Sequence, residues 1–203
     1  MKPYPSIPTK IRADVPILAF DKLDGSQLRA EWTSKAGFVH FGTRHRPLDP
    51  SHPHLGDGVA LVRDKFEAEV TRALKARKIH QALLFFEFLG PRSFAGRHVD
   101  EVHDVILLDV AAFGRGLLPP DEFMAIFGHL DTAKLLYEGH VTREFVDSVR
   151  AGTFPGVTSE GVVCKSPAFE KRRPVMFKIK AQAWLDRLRD LCAGDDALFE
   201  ELA

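Results

Sequence analysis

The chain predicts an α+β fold with antiparallel sheets, and three observations carry that expectation. Short apolar runs of strand length are punctuated by Gly, Pro and Asp turns. Amphipathic stretches of helical period are scattered among them. The two kinds of segment do not alternate in the regular βαβ beat that a parallel sheet needs. Composition agrees: 203 residues, 45% hydrophobic and 28% charged, match a soluble globular chain able to bury a core and too apolar for disorder.

Taken in order, residues 1–16 are broken by Pro3, Pro5, Pro8 and Pro16 and form an extended lead-in. Ile17-Leu18-Ala19-Phe20 is a short apolar strand that runs into the polar turn Asp21-Lys22-Leu23-Asp24-Gly25-Ser26. Gln27 to Trp32 alternates polar and apolar, as an antiparallel return strand does. Phe38-Val39-His40-Phe41 is the next strand, and 47–58 is a loop on composition. From Asp64 to Ile79 the period becomes helical: Phe66, Val70, Ala73 and Leu74 share a face, and cations gather at the C-terminal end, where they suit the helix dipole.

Leu83 to Leu89 is apolar except for Glu87, and Gly90-Pro91 ends it. Val105 to Ala111 is a second apolar strand, broken only by Asp109. Asp121–Leu130, Thr142–Arg150 and Ala181–Cys192 have helical patterns, the last with Leu185, Leu188 and Leu191 on one side and Gly194 as its stop. Val162 to Cys164 and Val175 to Phe177 complete the strands. There is no internal repeat and no low-complexity segment.

Several function classes fall away. With 28 Lys plus Arg against 28 Asp plus Glu, the chain is neither a polybasic nucleic-acid coat nor an acidic tail, though a local basic groove is permitted. Cys164 and Cys192 are too few for a disulfide framework and too far apart for a metal knuckle. No apolar run is long enough to span a membrane. MKPYPSIPTKIRAD lacks the apolar stretch of a signal peptide, so a soluble cytoplasmic protein is expected. His52, His54, His98 and His103 lack a matching ligand set, and with no GxxxxGK[ST] run the chain is not a P-loop NTPase. The 16 Phe residues fill the core.

The strands carry misplaced charge. Lys22 follows the first strand, Glu87 interrupts FFEFLG, Glu160 and Lys165 bracket a strand, and Lys178 and Lys180 alternate on one face of another. Singly, each has an ordinary reading: Asp-Gly favours a hairpin, and alternating lysines suit a solvated edge strand. Together, four cations and two carboxylates within apolar strands require a polyanion and a metal to satisfy them.

The order of these residues resembles the covalent nucleotidyltransferases, the superfamily of polynucleotide ligases and mRNA capping enzymes, over roughly 17–180. Lys22-Leu23-Asp24-Gly25 is similar to the family's KxDG, whose lysine carries the nucleotide. Arg44, Glu87, Glu160-Gly161-Val162-Val163 and Lys178-Ile179-Lys180 resemble the motifs that follow it, and Lys165 falls where RNA ligases often have lysine. Gln27 stands where DNA ligases and capping enzymes usually have arginine, so Gly25-Ser26-Gln27 looks more like ATP-dependent RNA ligases of the nick-sealing phage type. NAD-dependent ligases have a domain ahead of this lysine, and only 21 residues precede Lys22.

What the resemblance implies is a nucleotidyltransferase fold of antiparallel sheets flanked by helices, and self-adenylation of Lys22 by ATP. AMP transfer to an RNA 5′-phosphate and sealing by a 3′-hydroxyl would follow. An ordinary lysine, of pKa about 10.4, is neutral in only about one of several thousand molecules at pH 7, so neighbouring positive charge is required. Lys165, Lys178, Lys180 and Mg²⁺ or Mn²⁺ would supply it, the metal held by Glu160 and phosphate oxygens. The resemblance assigns the ribose hydroxyls to Glu87, the ribose or phosphate to Arg44, the adenine edge to Asp21 and one adenine face to Val163. Asp24 and Gly25 belong to the nucleotide-binding turn. An aromatic usually covers the other adenine face; here only Ile106 or Leu108 could.

RNA ends would be held by basic stretches, of which Arg44-His45-Arg46, Lys75-Ala76-Arg77-Lys78 and Lys171-Arg172-Arg173 are candidates. Residues 1–180 form the expected adenylyltransferase domain. Residues 181–203 leave room for a helix and tail but not for an OB-fold, so the chain is either a minimal ligase or a self-adenylating enzyme needing a partner protein for its substrate. A stripped DNA ligase, a guanylyltransferase and a catalytically silent RNA-binding module of the same fold are the alternatives.

Overall fold

The computed structural model describes residues 1–53, 55–91, 100–170 and 173–202. In chain order its elements are β1 (Pro16–Asp21), β2 (Ser26–Thr33), β3 (Gly37–Thr43), α1 (Gly56–Ala76), β4 (Gln81–Leu89), β5 (Asp104–Ala112) and β6 (Gly116–Leu117). Then come α2 (Pro120–Phe127), β7 (Leu135–His140), α3 (Arg143–Arg150), β8 (Gly161–Glu170), β9 (Arg173–Lys180), α4 (Gln182–Leu191) and α5 (Asp196–Leu202). The expected α+β class is observed, with every strand pairing in the register antiparallel. The chain divides into two compact units. Unit 1 is Met1–Ser6, Gly25–Ala133 and Phe169–Pro174; unit 2 is Ile7–Asp24, Lys134–Ala168 and Val175–Ala203.

Unit 1 is a five-stranded sheet in the order β3-β2-β4-β5-β6. Period-two alternation sends Leu28, Ala30, Trp32, Leu84, Phe86, Phe88, Val105 and Leu107 into one core with Val62, Phe66 and Val70 of α1. Phe86 meets the rings of Phe66 and Phe38 at 5.2 and 6.4 Å between centroids, and the Trp32 indole N–H donates to Thr71 Oγ1 at 2.9 Å. The helix begins at Gly56, eight residues before the expected Asp64. Gly58, a helix breaker by propensity, is a close-packing point here: a Cβ on it would collide with the Leu28 and Phe88 side chains.

Unit 2 is a four-stranded sheet in the order β7-β1-β8-β9. Ile17, Ala19, Val162, Cys164, Phe177 and Ile179 bury one face against Phe145, Val146 and Val149 of α3. Thr142 caps that helix, its hydroxyl accepting from the Phe145 N–H at 3.1 Å. Burial raises the pKa of the Cys164 thiol far above its ordinary value, as expected for a small buried hydrophobe. Strands β7 and β6 and helix α5 were not legible in the sequence: no residue of Leu135–His140 is fully buried, and β6 and α5 are only two and seven residues long. Among the described residues no helix is long and apolar enough to cross a membrane.

Candidate active site

In unit 2, strand order does the assembly. Lys22 leaves the end of β1, and its N–H donates to the Gly161 carbonyl at 2.9 Å. The pairing of Asp21 with Val162 brings the start of β8 alongside. Lys180 ends β9, and the Ala181 N–H donates to the Glu160 carbonyl at 3.0 Å. Gly161 makes this convergence possible. It adopts φ +126°, and a Cβ there would collide with the Ile179 carbonyl and the Lys180 Cα, so β8 and β9 approach at a distance only glycine permits.

The side chains then meet. Glu160 accepts from Lys22 Nζ at 2.5 Å through one carboxylate oxygen and from Lys180 Nζ at 2.8 Å through the other. Glu160 and Lys180 are buried, with side chains only 6% and 5% exposed, whereas Lys22 keeps 21% and remains reachable. The Lys180 ammonium also lies over the Trp184 ring of α4, 4.0 Å from its centroid. Burial lowers the pKa of Lys180 and the charge of Lys22 lowers it further, while Glu160 and Asp24 act in the opposite sense. Removing Glu160 would leave the buried Lys180 ammonium beside Lys22 with no carboxylate between them, whereas removing either lysine leaves Glu160 paired with the other.

The remaining lysines share the same side of the sheet. Residues 17, 19, 162, 164, 177 and 179 face the core, so alternation sends Leu18, Phe20, Val163, Lys165, Lys178 and Lys180 to the opposite face. Register places Phe20 beside Val163 and Leu18 beside Lys165, and Lys165 Nζ sits 4.8 Å from the Phe20 ring centroid. Lys178 is half-buried, its backbone N–H held by the Pro8 carbonyl at 2.9 Å. The structure thus brings Lys22, Glu160, Val163, Lys165, Lys178 and Lys180 to one face. Asp21 points elsewhere. Its carboxylate accepts from the Thr158 N–H at 3.1 Å and hydroxyl at 2.8 Å, and burial raises its pKa against those two bonds.

The other expected site residues belong to unit 1. Glu87 lies between Gln27 of β2 and Ile106 of β5 in the register, on the face away from α1. Gly25 packs on the same strand: a Cβ there would collide with the Phe88 carbonyl and crowd Leu89 and Glu87. Ile106 and Leu108 are half-buried where Val105 and Leu107 are fully buried, so they keep to the Glu87 face. Arg44 is exposed in the tight turn closed by the Thr43 N–H and the Arg46 carbonyl at 2.9 Å.

Sequence reasoning missed four residues that organise these groups. Trp184 and Thr158 are the partners of Lys180 and Asp21 just described. Arg29, in an alternating strand that suggested an outward cation, is buried and donates to the Thr43 carbonyl at 2.6 Å, bracing the turn that carries Arg44. The fourth is Tyr4, whose hydroxyl donates to the buried Asp109 carboxylate while its ring lies 4.8 Å from that of Phe85. Burial, Asp109 and the nearby charge of Glu87 all raise the Tyr4 pKa. β5 has no aromatic, and the lead-in segment supplies one from a hundred residues away. Asp109 itself, a lone acid in VILLDVA, was the only available signal.

Of the basic stretches, residues 44–46 and 75–78 are exposed; Lys171 and Arg172 lie outside the described residues, as do His54 and His98. No group of three or more His, Cys, Asp or Glu that could hold a metal occurs among the described residues. A hard cation here would have one buried carboxylate, Glu160, as its protein ligand, an oxygen donor of the kind Mg²⁺ and Mn²⁺ accept alongside phosphate oxygens and water.

No family model matches the chain, and no curated protein matches it. Solved structures do. An RNA ligase of Naegleria gruberi with pyrophosphate superposes with a TM-score of 0.64 at 16% identity, covering 87% of this chain and 52% of that one. A lysine-to-alanine variant of that ligase with ATP and Mn gives 0.64 at 15%, covering 92% and 60%. A glutamate-to-alanine variant with AMP and Mn gives 0.63 at 15%, covering 85% and 52%. The chain has the nucleotidyltransferase-type fold of these RNA ligases and spans between about half and three fifths of their length.

Proposed function

We propose that the chain is an ATP-dependent RNA ligase with Lys22 as its covalent nucleophile. The observation that carries this reading is the Glu160 carboxylate gripping Lys22 and Lys180 together on the lysine-bearing face of unit 2. A structural salt bridge has no need of two further lysines on that face, nor of a partly exposed amine at its centre. A triphosphate does, because anionic oxygens can take up the cations while the amine reaches phosphorus.

In the first step Lys22 Nζ, which shares the Glu160 carboxylate with the Lys180 ammonium, gives up a proton to water. The amine attacks the α-phosphorus of ATP, a P–N bond forms, and the bond to pyrophosphate breaks. Lys180, Lys165 and Lys178 meet the charge that builds on the phosphate oxygens. Glu160, with phosphate oxygens, would hold Mg²⁺ or Mn²⁺, which supplies charge neutralisation on the triphosphate. Val163 offers an apolar surface to the base. The motif order assigns the ribose or phosphate to Arg44, the ribose hydroxyls to Glu87 and the second base face to Ile106 or Leu108. Asp24 and Gly25 shape the turn after Lys22, and Asp21 anchors Thr158. An RNA 5′-phosphate oxygen then attacks the lysyl-bound phosphorus and frees Lys22. Last, a 3′-hydroxyl attacks the 5′-phosphorus and displaces AMP.

The test is incubation with α-labelled ATP and Mg²⁺ or Mn²⁺, then a denaturing gel. Label is expected on the chain through an acid-labile, alkali-stable bond, and none on Lys22→Ala. Label from GTP instead would transfer the assignment to guanylyl transfer. A sealing assay over nicked duplexes, hybrids and single strands then tells a complete ligase from one that needs a partner protein.

A further inference from the structure

A second concentration of charge lies in unit 1 and takes no part in that chemistry. The turn between β2 and β3, the link from α1 to β4 and the turn between β5 and β6 come side by side at one end of the sheet. The Ser34 N–H donates to the His80 carbonyl at 2.9 Å, and the Phe113 N–H to the Gln81 carbonyl at 3.0 Å. Register pairs Thr33 with Gln81 and Ala82 with Ala112. Residues 33–37, 72–82 and 112–116 contain Lys35, Arg72, Lys75, Arg77, Lys78 and Arg115 and not one Asp or Glu. Arg72 and Arg115 are paired with Glu69 and Glu122. Lys35, Lys75, Arg77 and Lys78 make no ion pair among the described residues, and all four are exposed.

The helix dipole accounts for Lys75 and Arg77 at the end of α1, and Arg77 also caps the Ala73 carbonyl at 3.2 Å. It does not account for Lys35, which comes from another connection. Nor does it account for a lysine at position 78, where φ is 56° and glycine would be the unstrained choice. Least of all does it account for Phe113. That ring is 79% exposed on a backbone pinned by Gln81, so it stands in water on the connection next to the link that carries Lys78.

We propose that this end of unit 1 is a docking surface for single-stranded RNA, with Lys35, Lys75, Arg77 and Lys78 on phosphates and Phe113 stacked on a base. Unpaired cations on two neighbouring connections, beside an exposed aromatic on a third, are the combination that sequence-tolerant single-strand binding uses. The surface lies about 20 Å along β4 from Glu87. Naming the polyanion as RNA rests on the ligase reading; the match of cations and aromatic to phosphates and bases does not.

The experiment is fluorescence anisotropy of the full chain with a labelled oligo(A) RNA of about 12 nucleotides over a range of salt. Phe113→Ala is expected to weaken binding about five- to a hundredfold and leave the salt slope unchanged. Lys75→Gln with Lys78→Gln is expected to lower that slope by about 0.7 for each phosphate no longer neutralised. These positions are exposed, and melting curves equal to wild type confirm folding. Unchanged affinity and slope in both variants overturn the proposal, as does a wild-type chain that binds phosphatidylserine vesicles or polyglutamate but not RNA. Labelling by α-labelled ATP separates the two readings. A chain that stays unlabelled yet loses RNA affinity with Phe113 keeps this surface and loses the ligase assignment; a labelled chain indifferent to Phe113 does the reverse.

Discussion

Unit 1 and unit 2 are both antiparallel sheets with one buried face, yet they spend their interiors differently. Unit 1 packs a continuous apolar core from Leu28 to Phe127, filled with phenylalanine rings and closed by a 21-residue helix. Unit 2 has a much smaller apolar cluster, and on the other face of its sheet it buries Glu160, Lys165 and Lys180. Apolar burial stabilises at about 25 cal/mol per Å², whereas buried ion pairs roughly break even. Unit 1 buries Arg29 and Asp109 singly among apolar residues, whereas unit 2 gathers buried charges on one face of its sheet, which folding alone does not favour. Sites of function are where such departures from local consistency are expected.

The comparison breaks first in unit 1. Phe86→Ala removes a ring from between Phe66 and Phe38 and should cost about 3–5 kcal/mol, read as a lower urea midpoint. The charges of unit 2 are untouched, so any variant that stays folded should still self-label. Equal loss of labelling and of folded protein at every urea concentration would show that the two regions unfold as one.

Next comes Glu160→Gln, which leaves Lys180 buried beside Lys22 with no carboxylate between them. Loss of one member of a buried ion pair costs about 3–5 kcal/mol, and the 21% exposure of Lys22 places this case at or below the lower end. Unlike the Phe86 variant, it should lose self-labelling outright while folded. Replacing Lys22, Glu160 and Lys180 together by Met, Leu and Met should restore stability and leave the chain inert, as expected if the charges are kept for chemistry.

The contrast also explains what the sequence could reveal. Charges that interrupt apolar strands stand out in one dimension, so Lys22, Glu87, Glu160, Lys165, Lys178 and Lys180 were legible before any fold. Their partners were not. Trp184 looks like one more apolar residue on an amphipathic helix, and only the turn from β9 into α4 places its ring under Lys180. Tyr4 lies in a Pro-broken lead-in, a hundred residues from Asp109. The strands apart from β6 and β7 were legible from apolar runs and alternation, but α1 began earlier than expected because Gly58 contacts the sheet where propensity suggests a loop.

Gly161→Ala sharpens the point at intermediate cost. The backbone at φ +126° and the collision with the Ile179 carbonyl predict about 1–3 kcal/mol of strain. Because relief of that strain moves Glu160 relative to Lys180, labelling should fall at least tenfold more than the folded fraction does. A proportional loss would reduce Gly161 to a structural residue.

The smallest effect is electrostatic and appears only at high pH. Burial holds the Lys180 pKa below its ordinary 10.5, so between its folded value and 10.5 the unfolded chain binds this proton and the native chain does not. Stability therefore rises with pH through that window and is lost as pH falls through the folded value. Lys180→Met should remove this rise, seen as a flatter plot of unfolding free energy against pH in the alkaline range, all other titrating groups being common to both chains. Trp184→Leu should act in the opposite sense. The indole face 4.0 Å from Nζ stabilises the cation by about 0.5–2 kcal/mol, and without it the folded pKa drops further and the window widens toward neutrality. If the two variants flatten the plot alike, Trp184 supports Lys180 through packing alone, and its ring has no share in keeping that charge where a phosphate could find it.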